Sequence, residues 1–396
     1  MSIHRHFFSK LALSACILAA AAASVRAQDA APIAERFKQL MAVQGMDITW
    51  SAVSGDASAF SLEGTRLVVA GNPKPFELGK ISFEGVSDDN GGYRVGTVST
   101  EPFSGTRDGL TITSSPFKMT GVRLPAPGTT GPLADLLFYE GAELASLDVK
   151  AGDKTAFSLQ NVTAEISEPA EGKPMGFAGA AEKFTADLTL IEDPRSKAAI
   201  EAMGYQTISG DMEIEGSWNP VDGRMGFSQY DVTVNEAGTV GMTFDFGGYT
   251  LDFIKTLQEL QKKMAAQPEG ADNSAQGLAM LGLMQQLTFH SASLRWDDDS
   301  LTGKAIDYIA KQQNMKPEDI KNQAKAIAPF LAAQLNNPEL SSAITAAVTK
   351  YLDDPKSLEV TAEPDAPVPF AQIMAAGAAN PTELTKTLSV SVTAND

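Results

Sequence analysis

Between residues 47 and 248 apolar side chains recur at every second position: Ile48/Trp50, Phe60/Leu62, Leu67/Val69, Phe76/Leu78, Ile81/Phe83, Leu110/Ile112, Met212/Ile214 and Val232/Val234. A period of two sends neighbouring side chains to opposite sides of a strand, so this stretch must form sheet with one apolar and one polar face. Turn residues separate the runs at Asn90-Gly91-Gly92, Asp108-Gly109, Asn219-Pro220-Val221-Asp222-Gly223 and Glu236-Ala237-Gly238, which predicts successive antiparallel hairpins.

Inside this region a pattern repeats, in which alternating apolar residues are closed by a turn residue and valine: residues 81–86 (ISFEGV), 117–122 (FKMTGV) and 157–162 (FSLQNV). A long curved sheet whose hairpins share a pattern and a duplicated unit account for it equally well.

Helical spacing interrupts the strands and then takes over. Ile33, Phe37, Leu40 and Met41 share one helix face ahead of Gly45. Asp193-Pro194 caps and opens a short helix that ends before Gly204. Leu251, Ile254, Leu257 and Leu260 predict a longer helix, stopped by Pro268, with a mobile loop over 267–274. Further helices are expected at 278–284, 306–309, 320–335 and 340–352, with strands at 287–296, 357–361 and 388–392. The expected class is α+β: an extended antiparallel hairpin sheet over 28–250 and a mainly helical part over 251–396 that returns to the sheet.

The first residues carry His4, Arg5, His6 and Lys10, then an uncharged apolar run over 11–25, then Val25-Arg26-Ala27. This is the anatomy of a cleavable secretory signal, residues 1–27, and the apolar run is shorter than the roughly 20 residues that a spanning helix needs. A periplasmic protein with no retained transmembrane anchor is the expectation. Leu13-Ser14-Ala15-Cys16 has the form of a lipobox, but the apolar run continues past the cysteine, so Cys16 reads as part of the signal.

Cys16 is the only cysteine, which leaves the processed chain with no disulfide, thiol nucleophile or cysteine metal site. His4 and His6 leave with the signal as well, making His290 the sole imidazole and excluding multi-histidine metal centres. Removing Arg5, Lys10 and Arg26 takes the formal charge from −18 to −21, a field that repels nucleic acid and anionic lipid headgroups at long range.

The chemical motifs dissolve on inspection. Ser115-Pro116-Phe117-Lys118 has Ser-x-x-Lys spacing, but on a strand two side chains three apart face opposite ways. Asp297-Asp298-Asp299-Ser300 supplies oxygen ligands for a divalent cation or, more simply, a helix cap through Asp299 or Ser300. Asp88-Asp89-Asn90-Gly91-Gly92 reads as a hairpin turn. His290 has no Gly-x-Ser-x-Gly elbow to partner it, and Gly303-Lys304 is followed by Ala305 where a phosphate loop needs serine or threonine. Met280, Leu281, Leu283 and Met284 form either core or the lining of an acyl pocket. No catalytic, cofactor-binding or metal residue is assigned, and no cofactor is expected.

The repeated hairpins, the passage from Gly216-Ser217-Trp218-Asn219-Pro220 to Gly223, and Leu294-Arg295-Trp296-Asp297-Asp298-Asp299-Ser300-Leu301 resemble the strand-rich AsmA-like envelope proteins of Gram-negative bacteria. The resemblance implies a curved sheet that shelters lipid or serves envelope maintenance, and it carries over no functional residue. The leading expectation is a non-catalytic binding or accessory protein for an apolar or lipid ligand. An assembly factor acting through an envelope protein, and a carboxylate-dependent hydrolase, are the alternatives.

Overall fold

Among the described residues of the computed structural model (24–69, 72–130, 134, 136–168, 173–265 and 274–396), eighteen strands pair into one sheet accompanied by nine α-helices, an α+β fold. In chain order, α1 (Ser24–Val43) precedes β1 (Met46–Thr49), β2 (Ala52–Asp56), β3 (Ala59–Val69), β4 (Asn72–Asp89), β5 (Gly92–Thr100), β6 (Phe103–Arg107), β7 (Leu110–Ser114) and β8 (Phe117–Leu124). There follow β9 (Gly141–Ala151), β10 (Lys154–Ser167), β11 (Met175–Asp187), α2 (Pro194–Met203), β12 (Thr207–Trp218), β13 (Met225–Val234) and β14 (Gly238–Gly247). The remainder is α3 (Leu251–Ala265), α4 (Ser274–Met284), β15 (Thr288–Asp298), α5 (Leu301–Gln313), α6 (Pro317–Ala333), α7 (Pro338–Asp353), β16 (Ser357–Ala362), β17 (Val368–Pro369), α8 (Phe370–Ala379), α9 (Pro381–Thr387) and β18 (Val390–Ala394). Residues 1–23 of the expected signal, and nearly all of the loop expected over 267–274, lie outside the described residues.

Every pairing is antiparallel. From β3, which carries both β1 and β2 on one side, the sheet runs through β4 and β5 to β8 and β9, then strand by strand from β10 to β16, and ends at β18. The β6–β7 hairpin also pairs with β9, beside β8. The sheet crosses residue 250 without a break, because β14 pairs with β15 along its length. The tight turns fall where the sequence places them, with positive φ at Asn90 and Gly91 and at Asp108 and Gly109.

Helix α1 makes the largest core. Ala30, Ile33, Ala34, Phe37 and Leu40 follow helical spacing and are buried against Ile48, Phe60, Leu62, Ile81, Phe83, Val95, Val98, Val122 and Leu124. Phe83 stacks on Phe60 at 4.4 Å and meets Phe37 edge-on at 5.1 Å. Arg36 ties the helix to the loop after β8 by donating Nε to the Pro125 carbonyl at 2.5 Å.

The repeated pattern of the sequence lies inside strands, and its turn residue makes no turn. Gly85 in β4, Gly121 in β8 and Asn161 in β10 have φ of 67°, 62° and 50°. A left-handed residue in a strand shifts the phase of alternation. Core-facing residues therefore step by three across it, from Phe83 to Val86 and from Met119 to Val122, with Val98 and Val95 between them on β5. Gly79 does the same between Leu78 and Ile81, and so two sequence runs belong to one long strand, β4.

Gly121→Val is expected to destabilise the fold by about 1–2 kcal/mol, the usual cost of left-handed backbone for an L-residue, lowering the urea midpoint at an unchanged slope. An unchanged midpoint would show that the phase shift does not need glycine.

Candidate functional site

Residues directly opposite each other across paired strands share a face, so the registers define both faces of the sheet. One face carries Met212 and Ile214 on β12, Tyr230 and Val232 on β13, Val240, Met242 and Phe244 on β14, Ala292, Leu294 and Trp296 on β15, and Leu358 and Val360 on β16. The other carries Glu213, Asp231, Thr233, Thr239, Thr243, Ser293, Arg295, Glu359 and Thr361 in the same rows. Hydroxyl pairs cross the polar face, Thr233 to Thr239 at 3.0 Å and Thr243 to Ser293 at 2.7 Å.

Helices cover the apolar face in patches. At one end of the C-terminal strands, Ala347 and Tyr351 of α7 pack on Trp296, Leu358, Val392 and Ala394. At the other, Phe253 and Leu257 of α3 with Leu283 and Met284 of α4 pack around Phe246. Between these covers, Met242, Leu294 and Val360 stand in one cross-strand row and are 40%, 50% and 39% exposed. The slot extends across the strands onto β12 and β13, where no residue of β13 is buried. On the neighbouring β11 and β12, aromatic rings fill the space above glycines: Phe184 lies over Gly210 and Phe177 over Gly216, each pair opposite in register. Beyond them, a cavity of about 300 Å³ opens at the strand ends among Ile166, Phe177, Gly216, Glu165 and Glu215.

The residues singled out in the sequence are scattered and engaged elsewhere. Ser115 Oγ accepts from the Ser146 amide at 3.0 Å, while Lys118 pairs with Glu143 at 3.7 Å. Asp88–Gly92 is the β4–β5 turn. Gly303 and Lys304 lie within α5, with Lys304 Nζ 4.2 Å from the Tyr205 ring centre. Leu283 and Met284 belong to the helix core, whereas Leu281 is exposed.

The aspartate run caps α5 through a different residue from the one expected. Ser300 is the N-cap but makes no side-chain cap bond, and its hydroxyl donates to the Glu236 carbonyl. Asp298 Oδ1 accepts the Thr302 amide at 2.9 Å and the Trp296 indole at 3.2 Å. The strand runs on through Asp298, so that its carboxylate reaches over the first turn; Asp297 turns instead to Arg295 at 2.8 Å. Among the described residues no group of three or more histidine, cysteine or acidic side chains is placed to hold a metal.

His290 is the extra residue of a bulge in β15, since Asp245 opposes Ser291 and Phe246 opposes Phe289. Its Nε2 lies 3.3 Å from Thr288 Oγ1 and 3.4 Å from Arg224 Nη1, and Arg224 is held by both oxygens of Asp245 at 2.5 and 2.6 Å. Burial first, and the Arg224 charge second, push the imidazole below its ordinary value of 6.5. Hydrogen bonds from Ser61, Thr189 and Ser196 hold Glu63, Asp187 and Asp193 below the ordinary carboxylate range, as the Lys350 contact does for Asp396. A general acid needs the opposite shift.

A family model described only as an uncharacterized protein matches residues 231–395, the stretch from β13 to the end of β18. No curated protein matches the chain.

Asp298→Ala is expected to cost about 1 kcal/mol of stability through the lost cap, with Asp299→Ala within about 0.5 kcal/mol of neutral. Equal effects of the two in denaturant titration would refute the assignment. The lowered His290 pKa favours the neutral ring in the fold, so the stability it lends is present above the ordinary pKa of 6.5 and is lost as pH falls through the folded-state value. Arg224→Ala removes a neighbouring positive charge and frees Asp245, and nuclear magnetic resonance titration should find the His290 pKa raised. A fall, or no movement, would contradict the arrangement.

Proposed function

We propose that the protein is a non-catalytic periplasmic binding protein that holds an apolar, lipid-like ligand in the slot across its sheet. The observation that carries this reading is the row of Met242, Leu294 and Val360, large side chains left open to water on a face that is covered by helices on either side. Each methylene that an acyl chain transfers from water onto such a surface contributes about 0.8 kcal/mol. The signal-like residues 1–27 support a periplasmic location, and the AsmA-like texture of the hairpins supports lipid as the ligand class. Among the described residues no helix is long and apolar enough to cross a membrane, in keeping with a carrier that has no helical anchor there.

Native mass spectrometry of protein purified from its own envelope, followed by solvent extraction, should find a stoichiometric lipid. Leu294→Asp places an unpaired carboxylate in the slot and should reduce occupancy at least about tenfold, or about 1.4 kcal/mol, while Thr243→Asp on the opposite face should leave it unchanged. Bare wild-type protein, or equal loss in both variants, would overturn the reading.

A further inference from the structure

Five strands have a single partner among the described residues and so form edges of the sheet: β1 and β2 beside β3, β6 beside β7, β17 beside β15, and β18 beside β16. An open edge is a row of N–H and C=O groups ready to pair with another strand, and four of these five carry a feature that discourages it. Asp47 stands in β1, Gly55 with a φ of 112° and Asp56 in β2, Arg107 in β6 and Pro369 in β17. The fifth, β18, has the sequence VSVTA, with no charge, proline or glycine, and its register with β16 is unbroken from Val390 to Ala394.

Register fixes which atoms of this edge are open and what fits them. The Asn395 amide donates to the Ser357 carbonyl, and bonding alternates along an antiparallel strand, so Thr393 and Ser391 turn their backbone groups to β16 while Ala394, Val392 and Val390 turn theirs outward. Two rows of side chains end at the edge. On the apolar face Met242, Leu294, Val360 and Val392 stand opposite one another in turn. On the polar face Thr243, Ser293, Thr361 and Ser391 do the same, with hydroxyl bonds of 2.7 Å between Thr243 and Ser293 and 2.6 Å between Thr361 and Ser391. A strand that continues both rows must place an apolar residue beyond Val392 and a hydroxyl beyond Ser391. β18 itself, turned end for end about Val392, does so: Val392 meets Val392, Val390 meets Ala394, and Ser391 meets Thr393.

We propose that β18 pairs with β18 of a second copy about a two-fold axis at Val392, joining two sheets into one. In a chain of charge −18, an uncharged edge is where two copies meet without like charges directly opposed. Ala347 and Tyr351 of α7 pack on Ala394, so the axis sets the two helical covers at opposite ends of the joined edge. The contact is isologous and uses both open edges, and assembly therefore stops at the dimer. A five-residue edge is small beside the roughly 800 Å² per partner of a lasting interface, so the dimer dissociates on dilution. The inference rests on strand register and holds whatever the slot binds.

Sedimentation velocity over a dilution series, on protein purified from the envelope in the form the cell delivers, should show monomer giving way to dimer as concentration rises. Ser391→Lys/Thr393→Lys sets lysine opposite lysine across the axis, and Ser391→Glu/Thr393→Glu sets glutamate opposite glutamate. Each double variant should weaken dimerisation at least about tenfold, or about 1.4 kcal/mol. Because both side chains are exposed, the thermal midpoints should stay near that of the wild type. An equal mixture of the two variants sets lysine against glutamate at both positions and should restore the dimer, a rescue that only this register allows. A wild type that stays monomeric at every concentration overturns the proposal, including the case in which an extended segment of another protein occupies the edge. So does a dimer that both charged variants form as readily as the wild type, or a mixture that stays as monomeric as each variant alone.

Discussion

Everything in this molecule depends on covering one face of a single amphipathic sheet. Burial of apolar surface contributes about 25 cal/mol per Å², so a face that is apolar from β3 to β18 must find partners along its whole extent. The helices supply them unevenly. The first of them fills the N-terminal end so completely that Phe83 and Leu62 reach zero or near-zero exposure, whereas α7 and the α3–α4 pair cover only the ends of the C-terminal strands. The slot between them is therefore a consequence of helix placement, and the strands beneath it follow the same rules as the strands that are buried.

Breaks in the alternation keep one face of the long strands turned to the core. Strands as long as β4 would drift off any single helix if their side chains alternated without interruption. Left-handed residues at Gly64, Gly79, Gly85, Gly121 and Asn161 reset the phase, so that the same face stays turned to the core. Asn161 adopts this backbone at little cost and uses its amide to donate to Glu182 on the neighbouring strand at 2.6 Å. At the C-terminal end the bulge at His290 has a similar effect, returning Phe289 to the apolar face beside Phe246.

The alternation that defines the sheet is local and was open to reading from the chain alone, as were the helices with one polar face and the turns at Asn90-Gly91 and Asp108-Gly109. Strand length was not, because a phase reset at glycine looks like the end of one run and the start of another; Phe76/Leu78 and Ile81/Phe83 are one strand. The helix α8 escaped notice because its sequence, FAQIMAAGAA, carries no polar stripe from which a helical period could be read. Among three consecutive aspartates, the one that caps α5 is chosen by where β15 stops pairing, and that depends on β14, whose Gly238 opposes Asp298, rather than on the aspartates. The slot was illegible for a deeper reason: Phe83 and Phe244 sit in equivalent alternating patterns, and only distant helices decide that one is sealed and the other lies at the edge of an opening.

The two open apolar surfaces differ in how they are built. The row of Met242, Leu294 and Val360 crosses three strands between two helix covers and carries no lysine. On α6, Ile327 and Leu331 line an aliphatic groove against α7, and Phe330 stands 77% exposed beside it. On the polar face of the sheet Asp245 pairs with Arg224, and Asp297 and Glu359 pair with Arg295, so that face meets water through paired charges while the opposite face depends on helices for its cover.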